Sequence, residues 1–335
     1  ILSGLVGSEM CIRDRLKLVK RMESIKVFSP GSITNLSCGY DILGMCLESR
    51  GDEITVSKTG KKGVTIKSIS GFDLTKDINE NVSGIAAQSL LSKINLDHGF
   101  EIEINKGIKP GSGIGSSAAS SAGTVFAINQ LLDSPFSLLD LVKFSMEGEK
   151  FVSGAYHADN VAPIIFGGIT LVRTIDDLDI IPLPTPEDLE VVIVRPNIEI
   201  KTADSRKVVK KKVKIEKMTQ QSANLGSFVS SLYLEDYDLM SRSVIDQVVE
   251  PDRAVLIPEF EKIKMISKGS GSIAAGISGS GPSIFSLSNN RITSNNILDK
   301  ISDHYNSMDI DFDGFISKVN SGGIKIIETK WNILA

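Results

Sequence analysis

A run of glycines and other small residues at positions 110–120 carries the clearest chemical signal in the sequence. It reads Pro-Gly-Ser-Gly-Ile-Gly-Ser-Ser-Ala-Ala-Ser and leads directly into a helical pattern. Glycines let backbone N–H groups approach a ligand closely, and a helix start adds free N–H groups and a positive dipole end. Ser116 and Ser117 can cap that helix, and one hydroxyl can reach a metal ion. The run therefore predicts a phosphate-binding loop; a flexible loop before a capped helix is the alternative.

The same run allows a second interpretation. A Walker A loop is excluded, because no Gly-Lys-Ser/Thr follows at the required spacing. Residues 113–118 do fit the dinucleotide pattern Gly-x-Gly-x-x-Ala, and Asp133 lies at a tolerable distance, so an NAD-binding oxidoreductase stays open. The strand pattern before the loop alternates apolar and charged residues, whereas a central parallel strand is almost entirely apolar. The context therefore argues against dinucleotide binding.

Two other stretches could contribute to a site. Residues 29–44 read as a long irregular segment in which Asn35 and Asp41 are the polar candidates. Residues 276–283, Gly-Ile-Ser-Gly-Ser-Gly-Pro-Ser, could form another anion-binding nest of backbone N–H groups. They nearly match the nucleophile elbow of hydrolases, but the last glycine of that motif is missing.

Length and composition indicate a folded protein of about two domains. The chain has 335 residues, of which 41% are hydrophobic and 23% charged, and its net charge is −4. A mild acidic excess gives no field for a polyanion, so we expect no nucleic acid partner. No run of about 18 apolar residues occurs, so we expect no membrane partner either. With 3 cysteines and no Cys/His cluster, a disulfide framework and a zinc site are both disfavoured, and a reducing compartment is expected.

The N-terminal segment, residues 1–21, fits nothing downstream. It lacks the apolar core and cleavage site of a secretory signal, and its stretch SEMCIRDR resembles translated adapter sequence. We therefore treat residues 1–21 as a non-native leader and expect Met22 to be the true start.

Periodicity and turn residues place the motifs on secondary structure. Strands are predicted at residues 25–28, 52–58, 63–69, 100–104, 169–173, 191–194, 284–287, 314–319 and 324–328. Helices are predicted at residues 81–94, 116–132, 138–150, 202–209 and 220–234. Glycine and proline predict a turn at residues 29–31, a hairpin at residues 60–63 and a domain boundary near residues 167–168.

In this order, the three motifs resemble those of the GHMP small-molecule kinases, and within them the homoserine kinase family. The first motif is Pro30 followed by Asn-Leu-Ser-Cys-Gly-Tyr-Asp-Ile-Leu-Gly at residues 35–44, in which Tyr40 stands where the family usually has Phe. Further matching stretches are residues 153–163, residues 201–206 and residues 250–253. The resemblance extends over about residues 25–327, and the combination of segments is specific although each is weak alone.

The resemblance implies an α+β fold of two domains. The N-terminal domain, residues 22–168, is expected to resemble ribosomal protein S5 domain 2, and the C-terminal domain, residues 169–335, to be ferredoxin-like. The implied activity is ATP-dependent phosphorylation of the L-homoserine hydroxyl in threonine biosynthesis, in a cytoplasmic homodimer. A GHMP kinase for another small alcohol, or a catalytically silent binder of the same fold, are the alternatives.

The resemblance also assigns roles at the nucleotide end of the site. ATP is expected to bind Pro110, Gly111, Ser112, Gly113, Ile114, Gly115, Ser116, Ser117, Ala118, Ala119 and Ser120. Mg²⁺ is expected at Ser117 and Glu149, with Ser116 as the alternative ligand, because a hydroxyl and one carboxylate suit an ion that keeps several waters.

For the substrate, Arg206 and Arg253 can grip a carboxylate, since a guanidinium presents two parallel donors, and Asp41 can pair with an ammonium. The full substrate set implied by the resemblance is Asn35, Asp41, Asn160, Thr202, Arg206, Arg253 and Gly279. Asn160 and Arg206 are the expected catalytic residues. Asn160 lies where some related kinases place an aspartate base, and a strand at this point would turn Asp159 away from it.

We therefore predict that no strong base is used and that Asn160 orients the hydroxyl. His157 either helps to orient the residues that bind the substrate or is a purely structural histidine.

Overall fold

The computed structural model describes residues 19–198, 200 and 202–334. The predicted leader lies outside these residues except for residues 19–21, which form the start of the first strand and pair with the last one. The strands in the described residues are β1 (Val19–Asn35), β2 (Gly39–Thr59), β3 (Gly63–Ser70), β4 (Gly99–Asn105), β5 (Ile169–Thr174), β6 (Asp179–Leu183), β7 (Glu190–Pro196), β8 (Ala274–Ile277), β9 (Ile284–Ser288), β10 (Phe312–Lys318) and β11 (Lys325–Leu334).

The helices of the same residues are α1 (Val82–Leu91), α2 (Ser116–Leu131), α3 (Leu138–Ser153), α4 (Val161–Phe166), α5 (Thr202–Lys207), α6 (Ile215–Leu234), α7 (Tyr237–Ser243), α8 (Glu250–Arg253), α9 (Phe260–Gly269) and α10 (Arg291–Ser307). All the predicted helices and strands are present, some with shifted ends. None of the helices in the described part of the chain is long and apolar enough to cross a membrane.

The first sheet has the strand order β11-β1-β2-β4-β3, with β5 beside the first half of β2 and β6 beside β5. The predicted turn at residues 29–31 is wrong, because β1 continues to Asn35. Its ladder shifts register between Pro30 and Ser32, and a proline without an N–H is tolerated at such a bulge. A Cβ at Gly31 would lie 3.0 Å from the carbonyl oxygen of Ile114. The residues that suggested a turn therefore allow a bulge and a close approach instead.

The predicted hairpin at residues 60–63 is also wrong. β2 and β3 are separated in the sheet by β4, which pairs antiparallel with β2 and parallel with β3. The chain reaches β4 only after α1, whose N-cap Asn81 accepts a hydrogen bond from the backbone N–H of Ser83. Helices α1, α2 and α3 pack together, and α2 also contacts β1 and β2. Small residues on α2 allow this close contact: a Cβ at Gly123 would lie 2.5 Å from Ile54.

The second sheet is antiparallel with the strand order β10-β7-β9-β8. Successive residues of β7 face different clusters: Val191 and Ile193 belong to the large core shared with the first sheet. Val192 and Val194 belong to a second cluster that includes residues of α9 and α10. Burial of both faces explains why β7 is uninterruptedly apolar from Val191 to Val194.

The two sheets and their helices confirm the predicted α+β class. Strands β5, β6 and β11 lie on the C-terminal side of the predicted domain boundary at residue 168, yet they belong to the first sheet. The chain therefore crosses between the two structural units more than once.

Candidate functional site

The predicted phosphate loop, called the phosphate loop below, runs from the end of β4 to the start of α2. Its last residue, Gly115, is the N-cap of α2 in the left-handed conformation with φ 71°, and no side chain caps the helix. Ser116 and Ser117 therefore do not cap it as predicted: the Ser116 hydroxyl donates to the carbonyl of Ile108 instead. The first N–H groups of α2 are left without a side-chain acceptor, as an anion-binding helix start requires.

Two glycines of the loop lie against other backbone segments. A Cβ at Gly113, which has φ 81°, would lie 2.7 Å from the carbonyl oxygen of Gly281. A Cβ at Gly115 would lie 2.4 Å from the hydroxyl of Ser32. Both positions therefore need glycine for space as well as for backbone conformation.

The loop forms one wall of a cleft of about 480 Å³. Of the predicted ATP-binding residues, those that line the cleft are Pro110, Gly111, Ser112, Gly113, Gly115, Ser116, Ser117 and Ser120. The side chains of Ile114, Ala118 and Ala119 are instead buried in the hydrophobic core. For these three residues only the backbone remains available to a nucleotide.

A buried ion pair behind the loop was not predicted. Lys106 Nζ lies 2.5 Å from Asp52 Oδ2, and it also donates to the carbonyl of Ser116 and the hydroxyl of Ser120. Asp52 accepts from the backbone N–H groups of Gly107 and Ile108. The pair thus ties the beginning of the loop to the first turn of α2. Burial lowers the pKa of Lys106, while Asp52 acts in the opposite direction.

The third motif supports the loop rather than forming a separate anion nest. The hydroxyl of Ser278 donates to the carbonyl of Gly113 at 2.6 Å, and that of Ser283 donates to the carbonyl of Ser112 at 2.6 Å. Two serine hydroxyls from the connection between β8 and β9 therefore fix the backbone of the loop.

Glu149 of α3 lies beside Ser117, as the predicted metal site requires. Its Oε1 is buried and has no hydrogen-bond partner in the described residues. Burial raises the pKa of Glu149 to about 7, although the Ser117 hydroxyl acts to lower it. A buried carboxylate oxygen with no partner, next to a hydroxyl and a phosphate loop, fits a hydrated Mg²⁺. Ser116 fits less well, because its hydroxyl is already hydrogen-bonded.

The described residues contain no cluster of three or more His, Cys, Asp or Glu side chains able to hold a metal.

Asn160 is the N-cap residue of α4 and lies under the loop. Its Oδ1 accepts a hydrogen bond from the hydroxyl of Ser32 at 2.9 Å. A Cβ at Gly115 would be 3.0 Å from the same oxygen. With Oδ1 engaged, the amide has N–H groups to offer to an oxygen of a ligand.

The predicted orientation of Asp159 is wrong. The segment before Asn160 is a turn that leads into α4, not a strand, and Asp159 lines the same cleft as Asn160. Asp159 is buried, and this burial together with the charge of Asp41 raises its pKa to about 7; Thr34 and Arg206 act in the opposite direction. The cleft therefore contains a carboxyl group that strand alternation would have placed elsewhere.

Asp41 and Arg206, predicted to bind opposite ends of the substrate, bind each other. Arg206 Nη2 is 2.9 Å from Asp41 Oδ1, and Nη1 is 3.2 Å from Oδ2. Nη1 also donates to the Tyr40 hydroxyl at 3.1 Å. Nδ1 of His157 is 3.4 Å from Arg206 Nη2, and burial lowers the pKa of His157. The lowered pKa favours a neutral imidazole beside the charged pair.

The other predicted substrate residues lie around this pair. Arg253 is buried, and its Nη1 donates to the carbonyl of Gly279 at 2.8 Å. Asn35 Nδ2 donates to the same carbonyl, and its Oδ1 accepts from the backbone N–H of Asp41. Asn35 therefore positions Asp41 through its backbone. Thr202 is the first residue of α5, but its side chain lies outside the described residues.

Several cleft residues were missed by the sequence analysis. Apolar side chains from α3, from the first residue of α1 and from the segment before it line the cleft next to the loop: Leu74, Val82, Phe151 and Val152. Phe151 and Val152 are about half exposed. Exposed apolar residues beside a predicted phosphate loop suit a flat nucleobase. A local pattern could not have identified them, because the same residues would also fit a helix end.

The family comparisons agree with this geometry. Residues 81–168 match the GHMP kinases N terminal domain, and residues 229–307 match the GHMP kinases C terminal family. Together with the fold and the cleft, these matches define the class as a GHMP kinase.

A homoserine kinase of Chlorobium phaeobacteroides (strain BS1) is 34% identical over 320 residues, which cover 91% of this chain and 100% of the relative. One of Methanococcus maripaludis (strain C5) is 42% identical over 274 residues, 79% of this chain and 88% of the relative. The crystal structure of a homoserine kinase from Cytophaga hutchinsonii matches with a TM-score of 0.88 and 41% identity, over 91% of this chain and 98% of that one. The chain belongs to the homoserine kinase family.

This result excludes the dinucleotide-binding interpretation of residues 113–118. The strand before the loop, β4, lies in a mixed sheet between an antiparallel and a parallel neighbour. A dinucleotide fold would place it centrally in a parallel sheet.

Proposed function

We propose that the protein transfers the γ-phosphoryl group of ATP to the side-chain hydroxyl of L-homoserine, producing O-phospho-L-homoserine for threonine biosynthesis. One observation carries this proposal: a single cleft is lined by the phosphate loop and by the opposite charges of Asp41 and Arg206. The loop suits a polyphosphate, and paired opposite charges suit a zwitterionic amino acid. A sugar or a simple alcohol would use neither charge.

At the nucleotide end, the backbone of residues 110–120 holds the phosphates, and Phe151 and Val152 contact the base. Ser117 and Glu149 hold Mg²⁺, which when bound neutralises phosphate charge. The partner-free Oε1 of Glu149 supports this assignment.

At the reacting centre, Asn160 orients the homoserine hydroxyl through its amide N–H groups. Phosphoryl transfer through a loose transition state depends mainly on positioning and charge neutralisation, so a strong base is not required. Arg206 and Arg253 hold the substrate carboxylate, and Asp41 holds the ammonium. Asp159 lies in the same cleft and, in its ionised form, adds negative potential beside Asp41 at the ammonium end of the substrate.

The proposal includes a homodimer in the cytoplasm. Both assignments rest on family resemblance. Cys38 and Cys46 are buried free thiols, which fits a reducing compartment. Sedimentation of the purified chain tests the dimer.

The decisive experiment measures ADP release with Mg·ATP and L-homoserine, beside L-serine, L-threonine, mevalonate and galactose. Turnover specific for homoserine, lost in Arg206→Ala and Arg253→Ala, is expected. Arg173→Ala is the matched control, because Arg173 is exposed and pairs with Asp179 away from the cleft. Turnover with another alcohol would replace the substrate assignment, and ATP binding without any turnover would indicate a silent binder.

A further inference from the structure

The ion pair between Asp41 and Arg206 occupies the charges that the substrate needs. Both contacts of a two-point guanidinium–carboxylate pair are present, at 2.9 and 3.2 Å. Each side chain is about one third exposed, so the pair lies at the cleft surface and within reach of a ligand. The ligand-free cleft therefore carries one positive and one negative group that satisfy each other.

The surroundings of the pair leave few other partners for either charge. The His157 Nδ1 is 3.9 Å from Asp41 Oδ2, but burial lowers the pKa of His157 and so favours its neutral form. Asp159 repels Asp41, and Arg253 repels Arg206. If the pair opened without a ligand, each group would face a like charge. The closed pair is therefore the stable arrangement of the free protein.

Arg206 and Arg253 differ in how firmly they are held. Arg253 is only 3% exposed, and it donates to the backbone carbonyls of Gly279 and Ser205. Arg206 is held by the side chains of Asp41 and Tyr40, and its buried Nε has no partner in the described part of the chain. Arg253 is thus a fixed cation, whereas Arg206 can exchange its partner.

We propose that substrate binding exchanges the Asp41–Arg206 pair for two new pairs, and that this exchange selects zwitterionic ligands. This inference rests on the proposed function. The substrate ammonium replaces Arg206 at Asp41, and the substrate carboxylate replaces Asp41 at Arg206. A ligand with only one charge leaves either Asp41 or Arg206 without a partner next to a like charge.

The physical reason is the cost of an unpaired, partly desolvated charge. Removing one partner of a close charge pair costs more than the intact pair contributes, because the remaining charge is left uncompensated. A site whose polar groups pair with the substrate therefore discriminates strongly against an analogue that lacks the matching group. An apolar pocket discriminates much less against an analogue that lacks one methylene. Discrimination here arises from opening the protein's own ion pair, as well as from contacts with the ligand.

The test uses two truncated alcohols. 4-Hydroxybutanoate lacks the ammonium of homoserine, and 3-aminopropan-1-ol lacks its carboxylate. With the full chain, both should have a kcat/KM at least about 100-fold below that of L-homoserine. In Asp41→Asn, Arg206 no longer has a charged partner to give up. The ratio of kcat/KM for 4-hydroxybutanoate to that for homoserine should then rise by at least about tenfold.

Two further variants complete the design. Asp41→Glu retains the charge and should preserve the preference for homoserine. Asp179→Asn removes the acid of the exposed pair with Arg173 and should leave the ratio unchanged. If Asp41→Asn lowers activity towards both substrates equally, the exchange is refuted although the kinase assignment stands. If the wild type does not turn over homoserine, the proposed function fails and this inference with it.

Should Asp41→Asn not fold, as judged from its thermal unfolding, the mirror variant Arg206→Gln replaces it. It should raise the relative kcat/KM for 3-aminopropan-1-ol, and an unchanged ratio would refute the exchange.

Discussion

Lys106 and Asp52 form an ion pair, 2.5 Å from Nζ to Oδ2, in which both side chains are almost completely removed from solvent. Each partner also binds backbone or hydroxyl groups at one of the two ends of the phosphate loop. Breaking the pair would leave one charge buried and uncompensated. The geometry of the loop therefore depends on a contact that lies outside the loop itself.

Lys106→Met should lower the free energy of unfolding by about 3–5 kcal/mol, the usual result of leaving one buried charge unpaired. Urea denaturation measures this. Lys26→Met is the matched control, because Lys26 pairs with Glu53, the residue next to Asp52, on the partly exposed face of the sheet. That variant should cost about 1 kcal/mol or less. Equal losses of unfolding free energy in the two variants would contradict the role of Lys106 as a buried charge that needs its partner. The double variant Lys106→Met with Asp52→Leu should recover part of the lost free energy.

Gly113→Ala should distort the loop. Its φ of 81° disfavours a side chain, and the added Cβ would lie 2.7 and 2.8 Å from two backbone carbonyl oxygens. A rise of at least about tenfold in KM for ATP and a loss of about 1–3 kcal/mol in stability are expected. Gly226→Ala is the control, since a Cβ there would have nothing within 4 Å and Gly226 lies in α6. It should be neutral or stabilise by up to about 1 kcal/mol.

Glu149→Gln should weaken the binding of Mg²⁺ at the loop. The Mg²⁺ concentration for half-maximal activity should rise by at least about tenfold, because even residues that only support metal ligands have effects of this size. Titration of MgCl₂ at fixed ATP measures the change. Glu147→Gln, two residues earlier on α3, removes the negative charge from the side chain that accepts from the Tyr156 hydroxyl and should not alter the titration. An unchanged Mg²⁺ requirement in Glu149→Gln would exclude Glu149 as a ligand.

Stability should fall as the pH rises from about 4 to about 7. Burial raises the pKa values of Glu149 and Asp159 to about 7, so in this window the folded protein binds more protons than the unfolded chain. Thermal unfolding at a series of pH values measures the slope. Asp159→Asn should flatten it, whereas Asp73→Asn, at an exposed position, should leave it unchanged. A Tm that rises between pH 5 and pH 7 only in the wild type would contradict the raised pKa values assigned to Glu149 and Asp159.

The parts of the fold that were predicted correctly have local causes. α1 begins at a capping Asn81, and α3 begins at Ser137 with a full capping box, so the sequence signals for both helices are confined to a few residues. The uninterrupted apolar run of β7 indicates burial on both faces without any knowledge of its neighbours. The glycine run was likewise sufficient to predict a loop that leads directly into α2.

The features of the fold and the site that were predicted wrongly or missed depend on contacts between residues far apart in the sequence. The insertion of β4 between β2 and β3 cannot be seen at residues 60–63, because the strand that enters comes about 40 residues later. Asp159 was assigned to a strand face, but the turn before α4 points it into the cleft. Lys106 and Asp52 are 54 positions apart, and Asp41 and Arg206 are 165 apart, so sequence patterns alone could not pair them.

The pairing of β11 with β1 has a consequence for synthesis on the ribosome. The paired residues are separated by roughly 300 positions in the chain. β1, β2 and α2 leave the ribosome long before β11, so a nascent chain can assemble the phosphate loop while one edge of β1 still has unpaired N–H and C=O groups. Such an edge accepts any extended strand, including one from a second nascent chain. Translation that stops before residue 325 would therefore release a nearly folded protein that is prone to aggregate.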